Sequence, residues 1–187
     1  MDKAFTIELW VYPTDIHGIR GFLSKGRSWY CSGYNFFAED GRLRCFLTTT
    51  EKPGEDLKAK SKLGGKIKYC IKGKHGYYLS SPSVLKENVW SYVACTYDSE
   101  KEKFCFFHNG ELIKEFKVKG EVAYLPPSDF PYPTLPLTIS GMAVAPSHYW
   151  LFKGFIREVK LYNRALSPDE IKNNYKKNLH ITALKFE

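Results

Sequence analysis

The pattern of hydrophobic and polar positions in residues 88–120 predicts three β-strands joined by two turns. Side chains alternate with a period of two along residues 92–97, which is typical of a strand. A charged turn separates that strand from a second at 103–108. Asn109-Gly110 favours a two-residue hairpin turn, because both residues tolerate positive φ. The third strand, 111–118, is expected to present an apolar face made of Leu112, Phe116 and Val118.

The segments before this meander also read as strands. Apolar residues at every second position predict a strand over 5–12, which Pro13 ends. Asp40-Gly41 predicts a hairpin turn between strands at 34–39 and 42–47. Cys45 faces the apolar side of that hairpin together with Leu43 and Leu47, while Arg42, Arg44 and Phe46 face the other side. Short strands are predicted at 21–25, 66–71, 77–81 and 137–140.

The end of the chain combines a strand, a helix and two loops. Residues 152–162 form the last strong strand pattern, and the spacing of Ile156, Val159 and Leu161 predicts a bulge at Arg157-Glu158. Ser167 opens a capping box, which predicts a helix over 167–177. Residues 181–186 are expected to add an edge strand. The proline-rich segment 121–136 and the segment 143–151 are predicted to be loops.

The positive charge is concentrated in one segment. The formal net charge is +8, and residues 52–75 hold eight lysines against Glu55 and Asp56. One interpretation is an anion patch for an acidic polymer, built on Lys60, Lys62, Lys66 and Lys68. The alternative is a solvated hairpin that carries lysines without binding anything. Both interpretations stay open at the level of sequence.

Five cysteines are present, and none forms a C-x-x-C pair. Cys45 and Cys95 are expected to be small buried hydrophobes. Cys31 and Cys70 lie in loop-like segments and are candidates for a disulfide.

The absence of Gln is a compositional hint of a thermophilic source. We find no apolar run long enough for a membrane helix and no signal peptide. The chain is therefore expected to be intracellular, virion-borne, or a piece of a longer secreted protein.

Five stretches together resemble the concanavalin A-like, laminin G-like jelly-roll domains. They are residues 5–13 (FTIELWVYP), 90–98 (WSYVACTYD), 107–110 (FHNG), 137–141 (LTISG) and 152–170 (FKGFIREVKLYNRALSPDE). The last stretch is the most specific, and the resemblance spans nearly the whole chain. The opening strand of many members is missing, and the loops 48–76 and 121–150 are longer than in a minimal member.

The resemblance implies an all-β fold, in which two antiparallel sheets pack face to face in a jelly roll with one short C-terminal helix. It also implies one domain over residues 1–187. Members take sugar or protein ligands at rim loops or on the concave sheet. Many of them hold calcium through loop Asp and Asn residues, so calcium is a candidate cofactor. The available oxygen donors are Asp98, Asp129 and Asn163, which are also ordinary turn residues.

The sequence argues against catalysis. Glycoside hydrolysis by relatives of this fold needs two carboxylates about 5–10 Å apart. Glu8 and Glu39 each stand alone as carboxylates on their predicted strands, which argues against such a pair there. The relatives that are polysaccharide lyases typically use a Gln, which this chain lacks. The five histidines have no metal-binding spacing.

Sugar recognition asks for aromatic rings beside hydrogen-bonding side chains. Two ring loops meet that description: the first has Arg27, Trp29, Tyr30 and Asn35, and the second has His148, Tyr149 and Trp150 with Lys153. The alternative is that these rings anchor the loops to the sandwich. Trp90 is expected in the core, since the matching family position is core. The four rings of the ring loops are expected to converge on one rim.

We therefore predict a non-catalytic carbohydrate-binding module, and an acidic polysaccharide is one candidate ligand. It is expected to belong to an extracellular or surface-associated protein. Nucleic acid and membrane insertion are not expected. The alternative is a structural or protein-interaction module of a virion or cell envelope, in which the rings make subunit contacts.

Overall fold

The structure is a computed structural model that describes residues 2–27, 32–51, 75–124, 136–145 and 148–183. Its strands and helices follow in chain order. They are β1 (Ala4–Pro13), β2 (Ile19–Arg27), β3 (Ser32–Glu39), β4 (Arg42–Thr49), β5 (His75–Ser83), β6 (Ser91–Asp98), β7 (Lys103–His108), β8 (Glu111–Lys117), β9 (Thr138–Ile139), β10 (Ala143–Ala145), β11 (His148–Tyr149), β12 (Gly154–Tyr162), α1 (Pro168–Lys177) and a 3₁₀ helix (Leu179–Ala183).

Two antiparallel sheets of five strands each form a sandwich. The first sheet has the order β12-β1-β6-β7-β8, and the second has the order β5-β4-β3-β2-β9. Strands β10 and β11 make a separate small hairpin. This arrangement confirms the predicted all-β sandwich with one short C-terminal α-helix. Among the described residues, no helix has the length and apolar character needed to cross a membrane.

The core between the sheets is built by the alternating apolar positions of both. Cys45 and Cys95 lie in it, which confirms their prediction as buried residues. Rings meet across the sandwich: the centroid of Phe5 lies 4.8 Å from that of Tyr34. The inward face of the second sheet contributes Leu23, Tyr34, Phe36, Ala38, Leu43, Cys45, Leu47, Tyr77 and Leu79.

The turn and bulge predictions are confirmed. Asp40 and Gly41 have positive φ between β3 and β4, and Asn109 and Gly110 do so between β7 and β8. The pairing of β12 with β1 shifts between Glu8 and Trp10, where Glu158 has a φ of 52°. Ser167 caps α1 with both bonds of the capping box present.

Three predictions of local structure are wrong. The pairing of β8 with β7 shifts so that Ile113 is the extra residue, and this turns Leu112 outward to 44% exposure. Ile113 and Phe116 pack against the core instead. Residues 179–183 form a 3₁₀ helix rather than the start of an edge strand. Segment 143–151 is not all loop, since it contains β10 and β11.

The C-terminal helix covers the outer face of the first sheet. Tyr175 of α1 stacks on Trp10 with ring centroids 5.6 Å apart, and Ile171 is fully buried in the same cluster. Trp90 also belongs to this cluster and is 7% exposed, which confirms its expected place in the packed interior. The outer face of the second sheet is therefore the better candidate for binding.

Candidate functional site

The outer face of the second sheet carries the side chains that alternate with its core residues. Because successive side chains of a strand point to opposite faces, Arg44 and Phe46 point away from the core that holds Cys45. Phe37 lies opposite Arg44 on β3, and Tyr78 lies opposite Phe46 on β5. At the turn end of the hairpin, Glu39 lies opposite Arg42.

Four of these residues form a polar group, which we call the Arg44 cluster: Glu39, Arg42, Arg44 and Tyr78. The Nη2 atom of Arg44 lies 2.9 Å from Oε2 of Glu39. The Tyr78 hydroxyl donates to the same oxygen at 3.0 Å. The guanidinium carbon of Arg44 lies 5.3 Å from the centroid of the Tyr78 ring, within the range of a cation–π contact. The cluster is thus a fixed cation beside an aromatic ring.

Solvent reaches the cluster only in part. The side chains of Arg44 and Glu39 are 17% and 21% exposed, whereas Arg42 is exposed. The Nε atom of Arg44 is buried and has no hydrogen-bond partner among the residues that the structure describes. Burial raises the pKa of Tyr78, and the charge of Glu39 raises it further. Tyr78 therefore keeps its proton and acts as a donor at neutral pH.

An apolar floor adjoins the Arg44 cluster. Phe37, Phe46 and Met142 are buried together on this face, and half-buried Trp150 packs against them. The Phe37 and Tyr78 rings are 6.0 Å apart, so the floor and the cluster are continuous. Aromatic and guanidinium groups side by side can hold a ligand with one apolar face and several polar groups.

Gly21 allows the segment that carries Trp150 to approach this face. Its backbone N–H donates to the carbonyl of Trp150 at 3.0 Å. A Cβ at position 21 would lie 2.5 Å from the Gly141 carbonyl carbon and the Met142 nitrogen, and 2.7 Å from the Trp150 oxygen. Because these three atoms are backbone, the approach depends on glycine.

The second predicted ring loop is partly placed on this face. His148 and Tyr149 form β11, and Trp150 follows them on the floor beside Phe37. Lys153 turns elsewhere, because its Nζ lies 2.8 Å from Oδ2 of Asp15. Arg20 binds the same carboxylate at 2.6 Å. These bonds hold the pKa of Asp15 well below its usual range.

Arg27 of the first predicted ring loop lies at the other end of β2. Arg27 pairs with Ser32 there, six residues from Gly21, or about 20 Å along a strand. Trp29 and Tyr30 lie outside the described residues. Asn35 is fully buried, and its Oδ1 accepts from the Ser24 hydroxyl. Asn35 is therefore a residue of the packed interior, and its contact with a ligand stays a prediction.

Two other groups of predicted residues are not tested. The lysines of the anion patch (Lys60, Lys62, Lys66 and Lys68) lie outside the described residues, and so do Cys31, Cys70 and Asp129.

Asp98 is described, and its Oδ1 accepts from the backbone N–H groups of Glu100 and Lys101. Its Oδ2 lies 3.0 Å from Nζ of Lys101. These are the bonds of an ordinary turn residue. Within the described ranges, no three His, Cys, Asp or Glu side chains come together as a metal site.

The sequence predicts no ligand role for the Arg44 cluster. It places Arg42 and Arg44 with Phe46 on the face of β4 opposite Cys45, and it offers Glu39 only as a carboxylate without a partner for catalysis. Two arginines at i and i+2 on one strand face, beside an Asp-Gly turn, were the available signal. Tyr78 lies 34 residues beyond Arg44, so only strand pairing brings it to them.

Glu8 and Glu39, one on each sheet, have separate environments. Glu39 is bonded to Arg44 and Tyr78 on the second sheet. Glu8 is fully buried on the first sheet, where Asn174 of α1 and Tyr162 donate to it. These two residues therefore do not form a pair that flanks a shared substrate.

The chain belongs to the concanavalin A-like lectin/glucanases superfamily, whose sequence profile matches residues 1–172. The match confirms the family resemblance that the sequence motifs indicated. No curated protein matches the chain in sequence.

Solved structures share the fold. The CBM40 of the Ruminococcus gnavus IT-sialidase, bound to α2,3-sialyllactose, is 20% identical with a TM-score of 0.63, over 93% of this chain and 83% of that chain. The leech intramolecular trans-sialidase is 20% identical with a TM-score of 0.61, over 99% of this chain and 24% of that chain. The SAP-like pentraxin of Limulus polyphemus is 11% identical with a TM-score of 0.59, over 95% of this chain and 71% of that chain.

Proposed function

We propose that this protein is a non-catalytic carbohydrate-binding module that holds an acidic sugar on the outer face of its second sheet. The observation that carries the proposal is the guanidinium of Arg44, fixed over the Tyr78 ring next to an apolar floor. An extracellular or surface-associated location is part of the same proposal.

The chemistry of the face suits a sugar acid. A pyranose presents an apolar C–H surface and a ring of hydroxyls. Half-buried Trp150, which packs on the buried floor, can contact the C–H surface, and the Arg44 cluster can bond to the hydroxyls. Arginine is the side chain best suited to a carboxylate, because its planar fork of N–H donors matches the two oxygens. Arg42 is exposed on the same face of β4, two residues from Arg44, and so adds a second positive charge to this end of the face.

The comparisons support this class of ligand. One of the similar solved structures is a CBM40 with α2,3-sialyllactose bound, and the leech enzyme, of which this chain covers 24%, is complexed with 2,7-anhydro-Neu5Ac. Both are under 25% identical, so they contribute the fold and a choice of probe. The residues that bind the probe in this chain are proposed from its own geometry.

The test is titration calorimetry with α2,3-sialyllactose and with lactose, which lacks the carboxylate, each with and without calcium. We expect binding of sialyllactose only, and Arg44→Ala should weaken it at least about tenfold, the cost of one charge-assisted hydrogen bond. Arg44→Lys should fall between wild type and Arg44→Ala, since it keeps the charge but loses the fork.

The matched control is Arg157→Ala, because Arg157 is an exposed arginine of β12 on the other sheet. It should bind like wild type. Equal loss in Arg44→Ala and Arg157→Ala would show a general charge effect and would contradict a site at Arg44. A glycan array on which no acidic sugar binds would reject the ligand class.

A further inference from the structure

Glu39 lies where an anionic ligand would have to bind. Its carboxylate accepts from Arg44 at 2.9 Å and from the Tyr78 hydroxyl at 3.0 Å. It also lies opposite Arg42 in the β3–β4 register. The two groups best placed to receive a ligand carboxylate are therefore already bonded to a carboxylate of the protein.

This arrangement limits what Arg44 offers to a ligand. One amino group of the guanidinium is bonded to Glu39, and the Nε atom is enclosed with no partner in the described part of the chain. A bidentate contact with a carboxylate needs two N–H groups on one edge of the fork. An anion must therefore share the arginine with Glu39 or displace it.

The local charge also limits which anions can bind. Glu39 cancels one of the two positive charges of Arg42 and Arg44, so a ligand with several negative charges gains little attraction and meets a nearby carboxylate. A carboxylate has about four acceptor positions, and the bonds from Arg44 and Tyr78 use two. A ligand that places an O–H or N–H donor next to its single acid group can bond to the rest.

We propose that Glu39 is the specificity-determining residue of this face, which admits singly charged sugar acids with neighbouring donor groups and rejects sulfated polymers. The inference rests on the proposed function and names the ligand class that the site selects. Selectivity of this kind comes from a repulsive element as well as an attractive one. Here Glu39 supplies both, since it repels a second anion and accepts from a donor.

The test compares Glu39→Gln with Glu115→Gln. Glu115 lies on β8 of the other sheet and forms a half-exposed ion pair with Lys103, so Glu115→Gln removes the same charge at a distance from the site. The probes are a heparin tetrasaccharide and α2,3-sialyllactose. We expect Glu39→Gln to bind heparin at least about tenfold more tightly than Glu115→Gln does. The reason is that a carboxylate next to a bound sulfate group weakens binding by about this factor. Its preference for sialyllactose over heparin should fall by at least the same factor, because the variant also loses the carboxylate that accepts from the donor of the sugar acid. An unchanged ratio between the two variants would overturn the inference.

Glu39→Asp separates charge from contact. It keeps the negative charge and shortens the side chain, so heparin should be rejected as in wild type. Gain of heparin binding by Glu39→Asp would show that repacking, and not charge, is the cause. The heparin comparison stands even where wild type binds no sialyllactose, so failure of the proposed function and failure of the Glu39 inference are distinguishable. Thermal unfolding of each variant checks that the sandwich is intact.

Discussion

Asn174 donates its side-chain amide to both carboxylate oxygens of Glu8, at 3.0 and 3.1 Å, and so joins helix α1 to strand β1. Glu8 is fully buried, and the Tyr162 hydroxyl donates to it at 3.3 Å. A buried carboxylate needs such donors, because an unsatisfied charged group is costly in the interior. The contact is therefore a main attachment of the C-terminal helix to the sandwich.

Removing the amide should destabilise the fold. Asn174→Ala leaves Glu8 with fewer donors, and we expect the free energy of unfolding to fall by about 1–3 kcal/mol. Asn173→Ala is the matched control, since Asn173 is the exposed neighbour on the same helix. Urea unfolding measures both. If the two variants have the same midpoint, the Glu8–Asn174 contact contributes nothing measurable.

Gly21→Ala should displace the segment that carries Trp150. The added Cβ would lie 2.5 Å from backbone atoms of Gly141 and Met142, which cannot rotate away. We expect a loss of about 1–3 kcal/mol, as for overpacking of a core. Gly141→Ala is the control, because its Cβ would meet side-chain atoms and no backbone: the flexible end of Leu151 at 3.2 Å and Thr138 Cγ2 at 3.8 Å. Sialyllactose binding should weaken in Gly21→Ala and stay unchanged in Gly141→Ala.

The capping box of α1 should make stability depend on pH in the acid range. Hydrogen bonds from Arg164 and from the Ser167 backbone lower the pKa of Glu170 from 4.5 to about 2. Because the folded-state pKa is lowered, this contribution is complete above about pH 4.5 and is lost as the pH falls to about 2. A Glu170→Gln variant lacks that dependence. Unfolding curves of wild type and variant at pH 3 and pH 6 measure it: the difference between the two proteins should be smaller at pH 3.

The buried cysteines should resist thiol reagents in the folded protein. Burial raises the pKa of Cys45, Cys95 and Cys105, and the thiolate is the reactive form. Alkylation with iodoacetamide at pH 8, mapped by mass spectrometry, should leave these three unmodified until denaturant is added. Rapid labelling of Cys45 without denaturant would contradict the packing described for the core.

The lysine segment has a separate test on a heparin column. We expect the wild-type protein to elute at low salt, near the fourfold variant Lys60→Ala, Lys62→Ala, Lys66→Ala and Lys68→Ala. The segment lacks the arginines that bidentate anion recognition prefers, and exposed charges are screened over about 8 Å at physiological ionic strength. Elution of wild type at much higher salt than the variant would instead support the anion patch.

The sequence by itself determined the features that depend on neighbouring residues. The period-two alternation predicted the strands of both sheets, and it put Cys45 and Cys95 in the core. Asp40-Gly41 and Asn109-Gly110 predicted their turns because positive φ is a local property. Ser167 predicted the start of α1 for the same reason, since a cap and its partner are three residues apart.

Only the tertiary structure decided the register of the strands and the composition of the candidate site. The register shift that turns Leu112 outward depends on the pairing of β8 with β7. The alternation of apolar and polar residues within β8 does not predict it. Glu39 and Tyr78 are 39 residues apart and meet through β4, which pairs with both of their strands. Trp150 reaches the same face because Gly21 has no Cβ that would clash with the segment carrying Trp150. Such contacts arise from backbone pairing between distant segments, so no local pattern of residues specifies them.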